Sequence, residues 1–235
     1  MALILNIETS TQICSVSLTR NGKLIALRET NEDKSHAARL TVYIDEIVKS
    51  QNLLINDLDA VAVSKGPGSY TGLRIGVSVA KGLCYGAEKP LIAVSTLQAL
   101  ALQVSSGNKP EVNVKGNSWF CPMIDARRME VYTAMFDMDN NMQNKISAKI
   151  IDSSSFPDIL NDRLVYFFGN GAMKCKNIIQ HKNARFIENI ETSSADMATL
   201  SEIAFRKKQF EDVAYFEPFY LKDFIATIPK KNILR

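Results

Sequence analysis

The feature that most constrains this chain is the order in which its apolar patterns succeed one another. Leu3-Ile4-Leu5-Asn6-Ile7 is almost wholly apolar, as a strand covered on both faces must be. Ile13 to Leu18 alternates with period two. Lys23 to Arg28 follows Asn21-Gly22, a pair that readily supplies the two positive φ angles of a tight hairpin turn. A helix is expected from about Ser35 to Gln51. Ala37, Leu40, Ile44, Ile47 and Val48 line one face, and Asp45 and Lys49 pair on the other. Strand and helix then alternate: strand Asp59 to Ser64, helix Gly72 to about Gly86, strand Pro90 to Val94, helix Thr96 to about Val104. The order is βββαβαβα.

Ser105 to Ser118, rich in Ser, Gly, Asn and Lys, breaks this pattern, and a fainter copy follows it. Trp119 to Ile124 and Val131 to Asp137 read as a strand pair around the charged turn Asp125-Ala126-Arg127-Arg128. A third strand is expected near Lys145 to Ile151 and a helix near Ser154. After these come the strand Leu164 to Phe168, a helix near Lys174 to His181, a short strand near Arg185 to Ile187, and a strong helix from Asp196 to about Lys208. The expected fold is α/β: two tandem actin-like/RNase H-like (βββαβαβα) subdomains, residues 1–105 and 106–235, with the last segment packing back on the first. This order resembles the actin-like, sugar-kinase-like ATPase architecture.

Composition narrows the function by exclusion. A net charge of +3 is too small to predict strong electrostatic capture of nucleic acid or an anionic membrane. The hydrophobic fraction of 46% suffices for a sizeable core. The cysteines at 14, 84, 121 and 175 form no CxxC pair, and the two histidines, His36 and His181, form no HxxxH or HExxH, so no metal site is expected. Buried free thiols in a reducing compartment are the expectation. With no signal-peptide pattern and no apolar run of about 18 residues, the chain reads as cytoplasmic, without a membrane contact.

Two segments could carry chemistry. The first is Gly66-Pro67-Gly68-Ser69-Tyr70-Thr71-Gly72-Leu73-Arg74-Ile75-Gly76, between a strand and a helix, where glycine-rich loops can cradle phosphate. It has neither the Gly-Lys-Ser/Thr triplet of a Walker loop nor GxGxxG spacing. Within the helix, Gly72, Gly76 and Ala80 form one row of small side chains, and Ser78, Gly82 and Gly86 form another. Glycine inside a helix costs about 1 kcal/mol relative to alanine, so such rows imply that another backbone approaches closely, from this chain's core or from a partner. The second segment is the turn Glu8-Thr9-Ser10-Thr11; in actin-like ATPases this turn holds an Asp and small hydroxyl residues that contact phosphate.

Asn6-Ile7-Glu8-Thr9-Ser10-Thr11 with Cys14-Ser15-Val16, and Gly66 through Gly76, resemble the TsaB (YeaZ) family of bacterial tRNA-modification proteins, a glycoprotease-like branch of the actin-like superfamily. Asp125 to Tyr132, Gly169-Asn170-Gly171 and Pro218-Phe219-Tyr220-Leu221-Lys222 fit it too, so the resemblance spans residue 3 to about residue 222. Glu8 stands where Asp is usual, Met129 where Gly is common, and Lys222 where Arg is common. In the catalytic relative, TsaD, a helix carries two metal-binding histidines; aligned on the preceding strand, Thr96 and Leu100 take those places, and neither can ligate iron or zinc.

The resemblance implies a non-catalytic subunit that binds a TsaD-like transferase, with a TsaE-like ATPase joining them, in N6-threonylcarbamoylation of adenosine 37 in tRNA. It implies no cofactor, tRNA contact only through the complex, and a homodimer when the chain is alone. The expected partner interface comprises Gly66, Pro67, Gly68, Ser69, Tyr70, Thr71, Gly72, Leu73, Arg74, Gly76 and Ala80, with Glu8, Thr9, Ser10 and Thr11 as a vestigial phosphate loop. Two other readings stand beside this one: an ATPase or small-molecule kinase of the same fold, and a metallopeptidase. His36 is expected near solvent behind a Ser35 cap. The turn from Asp125 to Glu130 is expected to pair its charges internally, and Arg206-Lys207-Lys208 and Lys230-Lys231 to be solvated.

Overall fold

A computed structural model describes residues 2–32, 36–106 and 117–222. The Ser35 cap, most of the polar break and the Lys230-Lys231 pair lie outside these residues.

The first sheet contains β1 (Leu3–Glu8), β2 (Cys14–Arg20), β3 (Lys23–Thr30), β4 (Ala60–Gly66) and β5 (Leu91–Ser95), in the order β3-β2-β1-β4-β5. β1, β2 and β3 are antiparallel neighbours, whereas β4 lies parallel to β1 and β5 parallel to β4. Asn21 and Gly22 close the hairpin with φ of 53° and 74°. The sheet is covered on both sides, which accounts for the apolar run of β1. Leu5 and Ile7 pack towards the helices α1 (His36–Ser50) and α2 (Tyr70–Ala87), and Ile4 packs on the other face with Ala62, Ile92 and Met197.

The second sheet repeats this topology with β6 (Trp119–Asp125), β7 (Glu130–Thr133), β8 (Ser147–Ile150), β9 (Val165–Phe168) and β10 (Ala184–Phe186), ordered β10-β9-β6-β7-β8. β6 lies antiparallel to β7 and parallel to β9, as β1 does to β2 and β4. The helix α3 (Thr96–Ser105) lies between the halves. Its Ala99 belongs to the first core, while Leu97, Leu100, Ala101 and Val104 pack on Phe120, Phe136 and Phe168 of the second. A short α4 (Pro157–Asp162) covers the far face.

Two expected helices differ. Residues 174–181 hold only a 3₁₀ turn, Met173–Cys175, followed by further turns. A piece this short lies below the length at which a helix nucleates on its own, and its bonds run mostly to the third residue back. The helix expected from Asp196 divides into a 3₁₀ turn, Ser194–Met197, and α5 (Ala198–Arg206), which packs on the first sheet. Beyond α5 the chain crosses that half. Glu211 bridges to Leu91 at the edge of β5, Lys81 Nζ donates to the carbonyls of Ala214 and Phe216, and Phe219 N donates to Lys65 O at 2.7 Å. Lys222 then reaches Glu130 in the second half.

Candidate functional site

The two segments singled out in the sequence form one unit. The turn after β1 lies under the start of α2, and the approach is closest at the glycines. A Cβ on Gly68 would overlap the carbonyl oxygen of Ser10, one on Gly72 that of Thr9, and one on Gly76 the Thr9 hydroxyl, each closer than 3.0 Å. Thr9 Oγ1 donates to Gly72 O at 2.8 Å, and Ser69 N donates to Ser10 O at 2.6 Å. Ser69 also caps α2, accepting from Gly72 N. The row Gly72-Gly76-Ala80 is therefore filled by this chain's own turn and core, and Leu73 is buried with it. This corrects the expectation that Gly72, Leu73, Gly76 and Ala80 face a partner. The sequence showed that a backbone must come close; only the rotation of the helix decides whose.

Of the expected interface, Ser69, Thr71 and Arg74 are exposed, and Gly68 and Tyr70 are partly so. Gly66 and Pro67 are buried; a Cβ on Gly66 would press on Phe219 O and Leu73, and its φ of 102° is a glycine conformation. The Tyr70 ring lies against Tyr220 at 4.9 Å between centroids, with the Arg74 guanidinium over it at 5.5 Å. The other row, Ser78, Gly82 and Gly86, faces outward, with open space around a Cβ at either glycine. Among the described residues, Tyr85, on the same helix, and Tyr215, on the segment that Lys81 anchors, are the most exposed large apolar side chains, at 84% and 85%.

In the turn from Glu8 to Thr11 the donors are turned inward. Ser10 N donates to Glu8 Oε1 at 2.6 Å, Ser64 Oγ donates to the same oxygen at 2.9 Å, Thr9 N reaches Ser64 Oγ, and Ile13 N donates to Thr11 Oγ1. Glu8 is fully buried, and burial pushes its carboxyl above the ordinary value against these hydrogen bonds. No ion pair reaches Glu8 among the described residues.

The equivalent turn of the second half is closed from outside. Lys174 Nζ donates to Asp125 Oδ1 at 2.5 Å and to the carbonyls of Arg128 and Glu130, while Lys222 takes the Glu130 carboxylate. Arg127 and Arg128, both at positive φ, form no ion pair among the described residues, so the expected pairing within the turn is not what forms. Lysines from two other segments reach the acids instead.

His36 is buried rather than near solvent, and its Nε2 lies 3.1 Å from Ile13 O. The four cysteines are buried and unpaired. Thr96 and Leu100 are buried on α3. Among the described residues no three His, Cys, Asp or Glu side chains gather as metal ligands, and no helix is long and apolar enough to cross a membrane. Little in the amino-acid pattern signals the strap from Glu211 to Lys222. Its Pro-Phe-Tyr-Leu-Lys stretch stood out only through the resemblance, and Lys81, which anchors it, is one of two cations on a mostly uncharged helix.

Residues 25–230 match the family model of TsaD, tRNA N6-adenosine threonylcarbamoyltransferase. The tRNA threonylcarbamoyladenosine biosynthesis protein TsaB of Bacillus subtilis (strain 168) is 30% identical over 226 residues, covering 93% of each chain. TsaB of Haemophilus influenzae is 28% identical, covering 94% of this chain and 93% of its own. The solved structure of YeaZ from Pseudomonas aeruginosa superposes with a TM-score of 0.80 at 24% identity, over 94% of this chain and all of that one. Motifs, duplicated topology and relatives agree: the chain belongs to the TsaB (YeaZ) family, whose members are named as tRNA threonylcarbamoyladenosine biosynthesis proteins.

Proposed function

We propose that this chain is a non-catalytic subunit that binds a TsaD-like transferase and supports N6-threonylcarbamoylation of adenosine 37 in tRNA, with a TsaE-like ATPase joining the complex. The observation that carries this reading is the outer face of α2. Gly82 and Gly86 leave a smooth groove beside Tyr85 and Tyr215, the geometry a partner helix needs for close backbone approach. The same face would pair two copies of the chain when the transferase is absent. The proposed interface thus moves from the Gly72 row to the Gly82 row of the same helix.

The Glu8 turn supports the non-catalytic part. A phosphate needs free backbone donors and positive charge, and here the donors at Thr9, Ser10 and Ile13 are occupied internally around a buried carboxyl. This counts against the ATPase or kinase reading. Burial of Thr96 and Leu100 at the aligned histidine positions counts against a metallopeptidase.

Gly82→Leu tests the interface. It fills open space on the monomer, so the melting temperature should stay at or above wild type. A side chain wedged between two helices costs about 1–3 kcal/mol by overpacking, roughly a ten- to hundredfold loss of association. Co-purification with a TsaD-like protein should be lost, and full retention by this stable variant would overturn the proposal. A calorimetric titration of the chain alone should show no micromolar ATP affinity; tight binding would favour the ATPase reading.

A further inference from the structure

The strap from Glu211 to Lys222 is held unequally along its length. On the first half it has several separate fastenings. Glu211 N donates to Leu91 O at 2.9 Å, Lys81 Nζ donates to the carbonyls of Ala214 and Phe216, and Phe219 N donates to Lys65 O at 2.7 Å. The Tyr220 ring then lies against Tyr70. Between these points Asp212 Oδ1 accepts from the amides of Ala214 and Tyr215, while Val213 and Phe216 pack on the first core. On the second half the strap has a single ionic or hydrogen-bonded fastening among the described residues, the pair of Lys222 with Glu130.

The two ends differ in kind as well as in number. The first-half end combines bonds to main-chain carbonyls with packed apolar side chains, which salt weakens little. The Lys222 and Glu130 side chains are 40% and 21% exposed, so their attraction is modest and is screened by salt. The pairing is nevertheless selective. The turn from Asp125 to Glu130 has its own cations in Arg127 and Arg128, yet neither pairs with Glu130 among the described residues. Lys174 commits its ammonium to Asp125 and to the carbonyls of Arg128 and Glu130. The Glu130 carboxylate is taken by a lysine 92 residues away.

Other joins between the halves lie elsewhere. α3 packs on both cores, and the segment returning from the second half is sewn to the first by Thr11 with Thr192 at 2.7 Å and Ser15 with Ser194 at 2.8 Å. Neither join bonds the turn from Asp125 to Glu130. We propose that the strap is a latch, hinged firmly on the first half and caught on the second by Lys222 and Glu130, which fixes the angle between the halves. A weak catch on a strong hinge can open while the strap stays in place, so the halves exchange between a latched and an unlatched arrangement. Losing one partly exposed pair changes such a ratio about two- to fivefold. The latch belongs to the chain alone, whatever partner α2 receives.

The test is a pulsed electron-spin distance measurement on the full chain, with nitroxide labels at Gln51→Cys and Gln180→Cys, exposed positions on the first and second halves. The native thiols are buried and stay unlabelled. The doubly labelled chain with its strap intact should give one dominant distance. Lys222→Gln or Glu130→Gln should raise the weight of a second distance about two- to fivefold, with the melting temperature unchanged. The double variant should do no more than either single one, because both cut the same pair. Salt at about 1 M, where the screening length is about 3 Å, should move the intact strap the same way and leave the variants where they are. Lys176→Gln, which breaks a partly exposed ion pair inside the second half, should change nothing. An identical distance distribution with and without the Lys222–Glu130 pair overturns the proposal. So does a double variant that shifts by the sum of the two, an equal shift from Lys176→Gln, or a shift matched by a fall in melting temperature.

Discussion

Two alanine substitutions on one helix should have opposite signs. Gly76 and Gly82 both lie inside α2, and replacing either with alanine gains about 1 kcal/mol of helix propensity. At Gly82 the new methyl group meets nothing, so Gly82→Ala should realise that gain. At Gly76 it overlaps the Thr9 hydroxyl, which must rotate away and give up its hydrogen bond to Gly72 O. Losing that bond costs about 1 kcal/mol, and forcing a methyl into a filled core about 1–3 kcal/mol. Gly76→Ala should therefore end about 1–3 kcal/mol less stable than wild type, and about 2–4 kcal/mol below Gly82→Ala. For a chain of this size the gap is roughly 4–16 °C in melting temperature. Urea denaturation measures it directly. Thr9→Ala removes the clashing oxygen and leaves the Thr9 Cβ at 3.4 Å, so Gly76→Ala in that background should cost little. Equal stability of the two alanine variants, or no rescue by Thr9→Ala, would refute the packing of turn against helix.

Glu8→Gln should change how stability depends on pH. Below the ordinary carboxyl value of 4.5 Glu8 is protonated in both states, and above it the unfolded chain ionises first, so the penalty on the native state grows with pH. Relative to wild type, the variant should become steadily more stable from pH 4 to pH 7 in denaturant titrations; a flat or inverted difference would contradict a carboxyl whose burial outweighs its hydrogen bonds. Burial pushes the thiols of Cys14 and Cys84 up to about 11 and that of Cys121 up to about 12, so a thiol reagent at pH 8 should label none of the four cysteines until the chain unfolds. Lys81→Ala removes both side-chain bonds that hold the strap at Ala214 and Phe216. Amides of residues 211–219 should exchange faster, with global stability changed by no more than about 1 kcal/mol.

The strands were legible because period and turn chemistry point the same way. Asn21-Gly22 marked its hairpin, and the unbroken apolar run of β1 announced a strand covered on both faces. α2 was legible as a helix, but its orientation was not. Two small-residue rows alternate around it, and the sequence does not say that Gly76 meets Thr9 while Gly82 meets nothing. Ambiguity of this kind arises wherever side chains are too small to declare a face. His36 was misjudged for a related reason: a polar side chain at a helix start reads as exposed unless the distant Ile13 carbonyl is known to accept from it. The division of the last helix was hidden too, since the 3₁₀ turn of Ser194–Met197 owes its shape to Ser194 bonding Ser15 across the molecule.

The bridge between Leu91 and Glu211 has a consequence for how this protein behaves in a crowded solution. β5 ends the first sheet, and the free rim of a parallel sheet is a template on which another chain can add a strand. Glu211 N occupies the Leu91 carbonyl on that rim, and the strap that follows is pinned by Lys81 and Lys65, so the chain's own tail seals it. The opposite rim, β3, is guarded differently: Lys23, Arg28 and Glu29 stand exposed along it, and a register break at Leu18 and Thr19 disturbs its pairing with β2. One border of this sheet is bridged by the tail and the other is charged and bent, so strand addition to the first sheet is disfavoured at both ends.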